Sequence, residues 1–301
     1  MPELPEVETI ARNLRDGHAR ETPLVQPTYR VREPRAEYVT ALPSTIPVVG
    51  KTITDAQVLW PRTLAEPDEK AFFHQIVGQR IEAVGRRAKY LILHLSEQKL
   101  IIHLRMSGDI LVTPLTEPLA PHDRLTLTLD AQYRLAFNDT RKFGRVWLLN
   151  DPAPLFAELG PEPFSDDFTP AWLYAALHQK KRQLKPLLLD QTFLAGLGNI
   201  YTDEALHRAG LHPLTLSGTV NEEQATRLQN AIREVLTDGI RHNGSSIDWV
   251  YRGGGFQNYF RVYGRTDEPC ITCGTPISRI IVGQRSTHFC ARCQPYSGTL
   301  R

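Results

Sequence analysis

The chain has 301 residues, of which 41% are hydrophobic and 23% charged, with a formal net charge of +2. That length suits about two domains, with one large or three small ones also open, and the apolar content is enough for a real core. It contains no run of 18 apolar residues, so no transmembrane helix is expected, and its acidic start without an apolar stretch argues against a secretory signal. A cytoplasmic protein with no membrane partner is the default expectation. The net charge does not by itself announce a nucleic-acid binder. Its local distribution says more: cations gather at Arg86, Arg87 and Lys89, at Arg141, Lys142 and Arg145, and at Lys180, Lys181, Arg182 and Lys185. Several such clusters on one chain fit a phosphate-tracking groove better than separate solvated faces.

Residues 3–14 (ELPEVETIARNL) read as a helix, with Pro5 suited to a first turn and Val7, Ile10, Ala11 and Leu14 on one face. Glu3, Glu6 and Glu8 lie where the helix dipole favours acids. The stretch 19–48 holds Pro23, Pro27, Pro34, Pro43 and Pro47 and reads as a long surface insertion. From about 51 to 150, β-rich segments separated by polar turns suggest a sandwich or barrel. Helices dominate from about 153 to 243. The clearest covers 221–240, with Asn221 as cap and Leu228, Ile232, Val235 and Ile240 on one stripe. Residues 244–260 are rich in Gly and Ser and read as a loop.

The final segment carries all four cysteines as Cys270-x2-Cys273-x16-Cys290-x2-Cys293. Two CxxC pairs across a short span offer four thiolates in the tetrahedral set that zinc prefers, and a cytosolic setting disfavours disulfides. One structural Zn2+ per chain is therefore expected. His288 is a competing ligand by type, but four sulfurs already close the site. The span between the pairs should form a β-hairpin presenting Arg285, which read alone is also an ordinary solvated turn residue.

The N-terminus reads MPELPEVET. Removal of Met1 would expose the secondary amine of Pro2, which can attack a sugar C1′ and displace a base. The resulting iminium has no proton to lose and acts as an electron sink for elimination, as lysine Schiff bases do. A free α-amine titrates near 8, so much of it can be neutral, and Glu3 beside it suits a general acid. Taken alone this is weak, since an inert terminus has the same letters. Three basic turns follow, RRAKYL at 86–91, HLRMSG at 103–108 and DTRKFG at 139–144. Phe143 is out of place for a core residue, because it sits in a basic turn. An aromatic wedge beside an arginine is what duplex-opening proteins insert between bases. KKRQLKP at 180–186 and GLGNIYTDEAL at 196–206 place a glycine turn and Asn199 where backbone N–H groups can meet phosphate.

Together MPELPEVET, RRAKYL, HLRMSG, KFG, LGPEPFSDDF, GLGNIYTDEAL, VYGR and the CxxC pairs resemble the bacterial formamidopyrimidine-DNA glycosylase (8-oxoguanine DNA glycosylase/AP lyase) family from end to end, leaving only 19–48 without a counterpart. The resemblance implies an α+β multidomain fold. It consists of an N-terminal β-sandwich catalytic domain (2–152), a helix–two-turn–helix domain (153–260) with a lesion-recognition loop at 244–256, and a zinc finger (261–295). It implies a monomer that binds damaged double-stranded DNA, hydrolyses the N-glycosidic bond of oxidised purines through a Pro2 Schiff base, and cleaves the strand by β,δ-elimination. Carried over by residue, Pro2 is the nucleophile and Glu3 its proton donor. Lys89 is the donor for β-elimination and Arg285 the donor for δ-elimination. His122, Lys181 and Asn199 contact DNA. Met106, Arg141 and Phe143 fill the void left by the flipped base and read the opposite cytosine. The chain departs from the family's frequent DPRRFG with DTRKFG, and places Arg105 before Met106 where a small residue is common; neither change removes a catalytic group. Two rivals share the scaffold. The endonuclease VIII type acts on oxidised pyrimidines and usually has Gly where this chain has Leu4, and it lacks the Met/Arg/Phe trio. A non-catalytic DNA-binding module would need Pro2 or Glu3 lost or blocked.

Overall fold

The computed structural model describes residues 1–17, 46–246 and 254–296. The chain divides into two compact units, Met1–Phe156 with His242–Asn258, and Ala157–Arg241 with Tyr259–Arg301. The expected insertion at 19–48 falls outside the described residues except at its end, and so does the centre of the 244–256 loop. No helix among the described residues is long and apolar enough to cross a membrane.

The first unit opens with helix α1 (Leu4–Asp16). Its start is set by a reciprocal cap: Glu3 accepts from the backbone N–H of Glu6, and the Glu6 carboxylate accepts from the backbone N–H of Glu3 at 2.8 Å. Val7, Ile10, Ala11 and Leu14 are buried along one face, as their spacing predicts. After it come β1 (Ile53–Val58), β2 (Leu64–Glu66), the short helix α2 (Glu69–Ile76) capped by Asp68, and strands β3 (Ile81–Arg87), β4 (Tyr90–Leu95), β5 (Lys99–His103), β6 (Gly108–Pro114), β7 (Asp123–Leu129), β8 (Tyr133–Asp139) and β9 (Arg145–Leu149), then one turn of helix, α3 (Ala153–Phe156).

The strands form two sheets, ordered β1-β7-β8-β6 and β2-β9-β5-β4-β3. Pairing is antiparallel throughout except β2 with β9. One apolar core joins α1, α2 and both sheets, from Val7 and Leu14 through Leu93 and Ile102 to Leu127 and Phe137. This is a β-sandwich, with α1 lying against β3 and β4. Full burial of each such aliphatic side chain is worth about 1.5–3 kcal/mol, so the sandwich can hold strained turns at its rim.

The second unit contains α4 (Pro170–His178), α5 (Leu184–Leu188), α6 (Asn199–Ala209), α7 (Glu222–Arg241) and a hairpin of β10 (Ser278–Val282) and β11 (Arg285–Phe289). Asn221 and Gln224 cap α7 reciprocally, each side chain accepting from the other's backbone N–H at 2.9 Å. Helix α6 stops at Gly210, whose φ of 68° is the left-handed conformation that favours glycine. The hairpin turns through Gly283 and Gln284, both with positive φ (54° and 62°), as a tight two-residue connection requires.

Candidate functional site

In the first unit, Pro2 is buried immediately before α1, and Glu3 caps the helix with only 2% of its surface exposed. Met1, whose peptide bond ties up the Pro2 nitrogen as an amide, is 42% exposed. Glu6, which the sequence reading treats only as a helix-dipole acid, does more. One carboxylate oxygen holds the Glu3 backbone, and the other accepts from Ser245 N at 2.7 Å and Ser245 Oγ at 3.0 Å. Gly244, at φ +76°, lies so close that a Cβ would stand 2.7 Å from Glu6 Oε1. The two ends of the 244–256 segment are fastened together as well. Phe256 N donates to Gly244 O at 2.9 Å, Gly255 N to His242 O at 2.8 Å, and Gly254 N to Ser246 Oγ at 2.9 Å. The stem of the expected lesion-recognition loop is therefore anchored on Glu6, in the first turn of the helix that Pro2 and Glu3 precede.

Lys89 sits in the tight turn between β3 and β4, after Ala88 at φ +52°, and is 5% exposed. Arg86 fixes this turn. Its Nε donates to Glu8 of α1 at 3.1 Å and its guanidinium reaches Ala88 O at 2.9 Å. Arg86 is thus a brace rather than a free phosphate contact, which corrects its place in the basic cluster. Across the sheet, His103 pairs with Tyr90 and accepts from Arg105 N through Nδ1 at 3.0 Å, which puts its own proton on Nε2. Burial first, and then the charges of Arg105 and Lys89, push His103 down to about 3, so it is neutral.

The other two basic turns lie on the β6–β8 edge. Met106 is half-buried, while Arg141, Lys142 and Phe143 are exposed, Phe143 by 53%. The Arg141 guanidinium stands 5.1 Å from the Phe143 ring, and Lys142, at φ +60°, lays its ammonium 4.0 Å from the Trp60 ring. His122 is exposed, and its carbonyl accepts from Asp139 N at 2.9 Å.

In the second unit, Lys181 is exposed, whereas Lys185 is fully buried against Asp203 at 2.6 Å. Lys185 therefore leaves the solvent-facing cluster the sequence suggests. Its ammonium also donates to Ser286 O at 2.9 Å, the carbonyl that Asn199 Nδ2 reaches at 3.1 Å. Asp203 accepts in turn from His288 N at 2.9 Å. Helix α6 thereby grips strand β11 directly beside Arg285, which is exposed at the hairpin turn. Glu204, wholly buried, accepts from the N–H groups of Arg261, Val262 and Tyr263 at 2.9–3.0 Å. Burial pushes its carboxyl up while those three donors pull it down.

The four cysteine sulfurs lie within 4.8 Å of one another. Cys270 and Cys293 stand at 3.9 Å and Cys273 and Cys290 at 3.4 Å, close to the roughly 3.8 Å edge of a tetrahedron with zinc–sulfur bonds of about 2.3 Å. The set fits one closed, structural zinc. The nearby histidine is His207 of α6, whose Nε2 lies 3.5 Å from Cys270 Sγ, while His288 stands 3.4 Å from Asp203 instead.

Three family models match the chain: the formamidopyrimidine-DNA glycosylase N-terminal domain at 34–146, the H2TH domain of the same glycosylase at 159–250, and the zinc finger found in that glycosylase and in IleRS at 267–295. Formamidopyrimidine-DNA glycosylase of Chloroflexus aggregans is 46% identical over 302 aligned positions, covering 98% of each chain, and that of Bacillus subtilis is 38% identical over 98% of this chain. The chain belongs to the formamidopyrimidine-DNA glycosylase family. The Lactococcus lactis formamidopyrimidine-DNA glycosylase solved on DNA containing an AP site superposes with a TM-score of 0.83 at 35% identity, covering 98% of this chain and all of that one. MutM solved with DNA containing carbocyclic 8-oxo-G matches with the same TM-score at 34% identity. The α+β multidomain fold with a zinc finger, expected from the motifs, is the fold of this family, and the four cysteines are its zinc ligands.

The fold also accounts for motifs whose purpose is invisible in one dimension. GLGNIYTDEAL supplies Asn199, Asp203 and Glu204, which hold the hairpin and VYGR in place. Glu6, Arg86, Lys185 and Glu204 escape a reading by residue type. The one available signal was the Glu3–Glu6 spacing of a capping box.

Proposed function

We propose that this chain is a bifunctional DNA glycosylase and AP lyase of base excision repair. It removes oxidised purines, 8-oxoguanine and formamidopyrimidines, from duplex DNA and then cuts the strand. The observation that carries the reading is the placement of Pro2 and Glu3 on the buried, capped start of α1, in a chain of this family. With Met1 removed, the Pro2 nitrogen attacks C1′ of the damaged nucleoside. The C1′–N bond breaks, the base leaves with a proton, and Glu3 protonates the sugar oxygen as the ring opens to the iminium. Lys89 serves proton transfer at base loss and β-elimination, and Arg285 serves δ-elimination while holding phosphate. His122, Lys181 and Asn199 bind the backbone. Met106 and Phe143 fill the emptied stack, and Arg141 offers donors to the acceptors of the opposite cytosine. The parts at 2–152, 153–260 and 261–295 divide these tasks into catalysis, DNA binding with the 244–256 lesion loop, and zinc-held strand contact. The protein acts as a monomer in the bacterial cytoplasm, on the nucleoid.

Borohydride reduction tests the reading. Lesion DNA should become covalently attached to Pro2, undamaged DNA should not, and Glu3→Gln should trap only on a pre-formed abasic site. A reduced link on Lys89 with Pro2 unmodified would overturn the mechanism. Faster excision of oxidised pyrimidines than of 8-oxoguanine would overturn the substrate.

A further inference from the structure

Met106 and the pair Arg141–Phe143 belong to turns that lie over thirty positions apart, yet one buried carboxylate organises both. Asp139 has no exposed surface. It accepts from the Ser107 hydroxyl, from Arg141 N at 3.2 Å and from Gly144 N at 2.7 Å. The Ser107 oxygen in turn accepts from Arg141 N at 3.0 Å. The main chain of Asp139 extends the same node. Its N–H donates to His122 O at 2.9 Å, and its carbonyl accepts from Arg124 Nε at 2.8 Å. A single side chain, Ser107, thus joins the residue after Met106 to the backbone of Arg141.

Packing reinforces the join. Gly108 and Gly144, which close the two turns, both lie against the buried ring of Phe137. A Cβ would stand 2.7 Å from that ring at Gly108 and 2.2 Å at Gly144. Each turn also contains a residue with a side chain at positive φ, Arg105 at 54° and Lys142 at 60°. L-residues disfavour that region, so neither turn is expected to keep its shape without outside support.

We propose that Ser107 and Asp139 lock the two turns into one body, so that void filling by Met106 and Phe143 and reading of the opposite base by Arg141 occur as a single step. Ser107 is then a specificity-determining positioning residue. This rests on the glycosylase reading above. A donor pattern discriminates bases only if it is held to within a fraction of a hydrogen-bond length. The lock supplies that rigidity to an exposed arginine whose neighbours in sequence cannot.

Ser107→Ala removes one oxygen and introduces no clash. Hydrogen exchange of the free protein, followed by mass spectrometry over 104–108 and 139–144, reads the lock without DNA. Exchange in both segments should rise at least tenfold in Ser107→Ala, with the rest of the sandwich unchanged. The ratio of excision rates opposite cytosine and adenine should narrow at least fivefold. Ser107→Thr, which keeps the hydroxyl, should recover most of both effects; a threonine variant indistinguishable from alanine overturns the proposal. So does acceleration confined to 104–108, or a Ser107→Ala enzyme with wild-type protection and wild-type base ratio. Wild-type enzyme that excises equally opposite either base would instead refute the functional reading, while the exchange experiment still decides whether the turns are coupled.

Discussion

Replacing Lys185 with methionine leaves the Asp203 carboxylate buried without its ammonium partner. The two side chains have no exposed surface and meet at 2.6 Å. Removing one member of such a pair typically costs about 3–5 kcal/mol, because the remaining charge cannot be resolvated. Asp203 keeps the His288 N–H at 2.9 Å, which offsets about 1 kcal/mol of that loss. The expected destabilisation is therefore about 2–4 kcal/mol. At about 2–4 °C per kcal/mol for a domain of this size class, the melting temperature should fall by roughly 4–16 °C in calorimetry of the zinc-loaded protein. A second consequence is local. Ser286 O loses its Lys185 contact and keeps that of Asn199, so the strand beside Arg285 loosens and the product mixture should shift from δ- toward β-elimination. Lys185→Met/Asp203→Leu should regain part of the lost stability, since an apolar pair of similar volume removes the stranded charge. A single variant that melts within about 1 °C of wild type would refute the reasoning, because it would mean that water reaches Asp203.

Two further outcomes follow from the same geometry. Cys270→Ser should lose most of the bound zinc and weaken lesion-DNA binding while leaving the sandwich folded, which metal analysis and binding titrations check; full zinc occupancy in the variant would count against a four-sulfur site. His103 is held neutral down to about 3, whereas in the unfolded chain it titrates near 6.5. Between those values the unfolded state carries the extra proton, so stability falls as pH drops through that window, by up to about 1.4 kcal/mol per pH unit. His103→Gln, which keeps an acceptor for Arg105 N, should flatten this slope in urea unfolding at pH 7, 6 and 5, and an unchanged slope would assign the acid sensitivity elsewhere.

What could be read from the sequence were features in which a residue's role is set by its near neighbours. The CxxC spacing announces zinc because four sulfurs at those intervals meet without help from the rest of the fold. The face of α1 and the cap of α7 are local in the same sense. Lys185 was not legible in this way. It stands in a run with Lys180, Lys181 and Arg182, and only the fold shows that the fourth cation faces Asp203 of α6. Arg86 reads as one more phosphate contact until α1 brings Glu8 beside it. Glu6 finds Ser245 across most of the chain, and Ser107 finds Asp139 after three strands, β6, β7 and β8. In each case the partner is chosen by tertiary packing, which no periodicity records. His207, and not His288, lies beside Cys270 for the same reason, since helix α6 approaches the cysteines and strand β11 approaches Asp203.

The end of the proline-rich stretch also allows a deletion to be reasoned through. The chain leaves α1 at Gly17, whose N–H still closes the helix on Asn13 O at 3.1 Å, and by Val48 it is back beside the helix, with Val48 N donating to Leu14 O at 2.8 Å. The two points that a linker must join are therefore held together by α1 itself, and Val48 is fully buried in the sandwich core. Replacing 18–45 with four glycines shortens the connection about sevenfold, and at about 0.6 kcal/mol per doubling this favours the folded state by about 1.7 kcal/mol. The deletion should keep Val48 and everything after it, so that the Leu14 bond survives. The shortened enzyme should melt at or above the wild-type temperature and excise 8-oxoguanine opposite cytosine at a comparable rate. If it folds but binds lesion DNA tenfold more weakly, the stretch belongs to the DNA groove and the reading of 19–48 as a surface excursion is wrong. If it fails to fold, the stretch contributes contacts to the sandwich that outweigh the entropy of closing the longer loop.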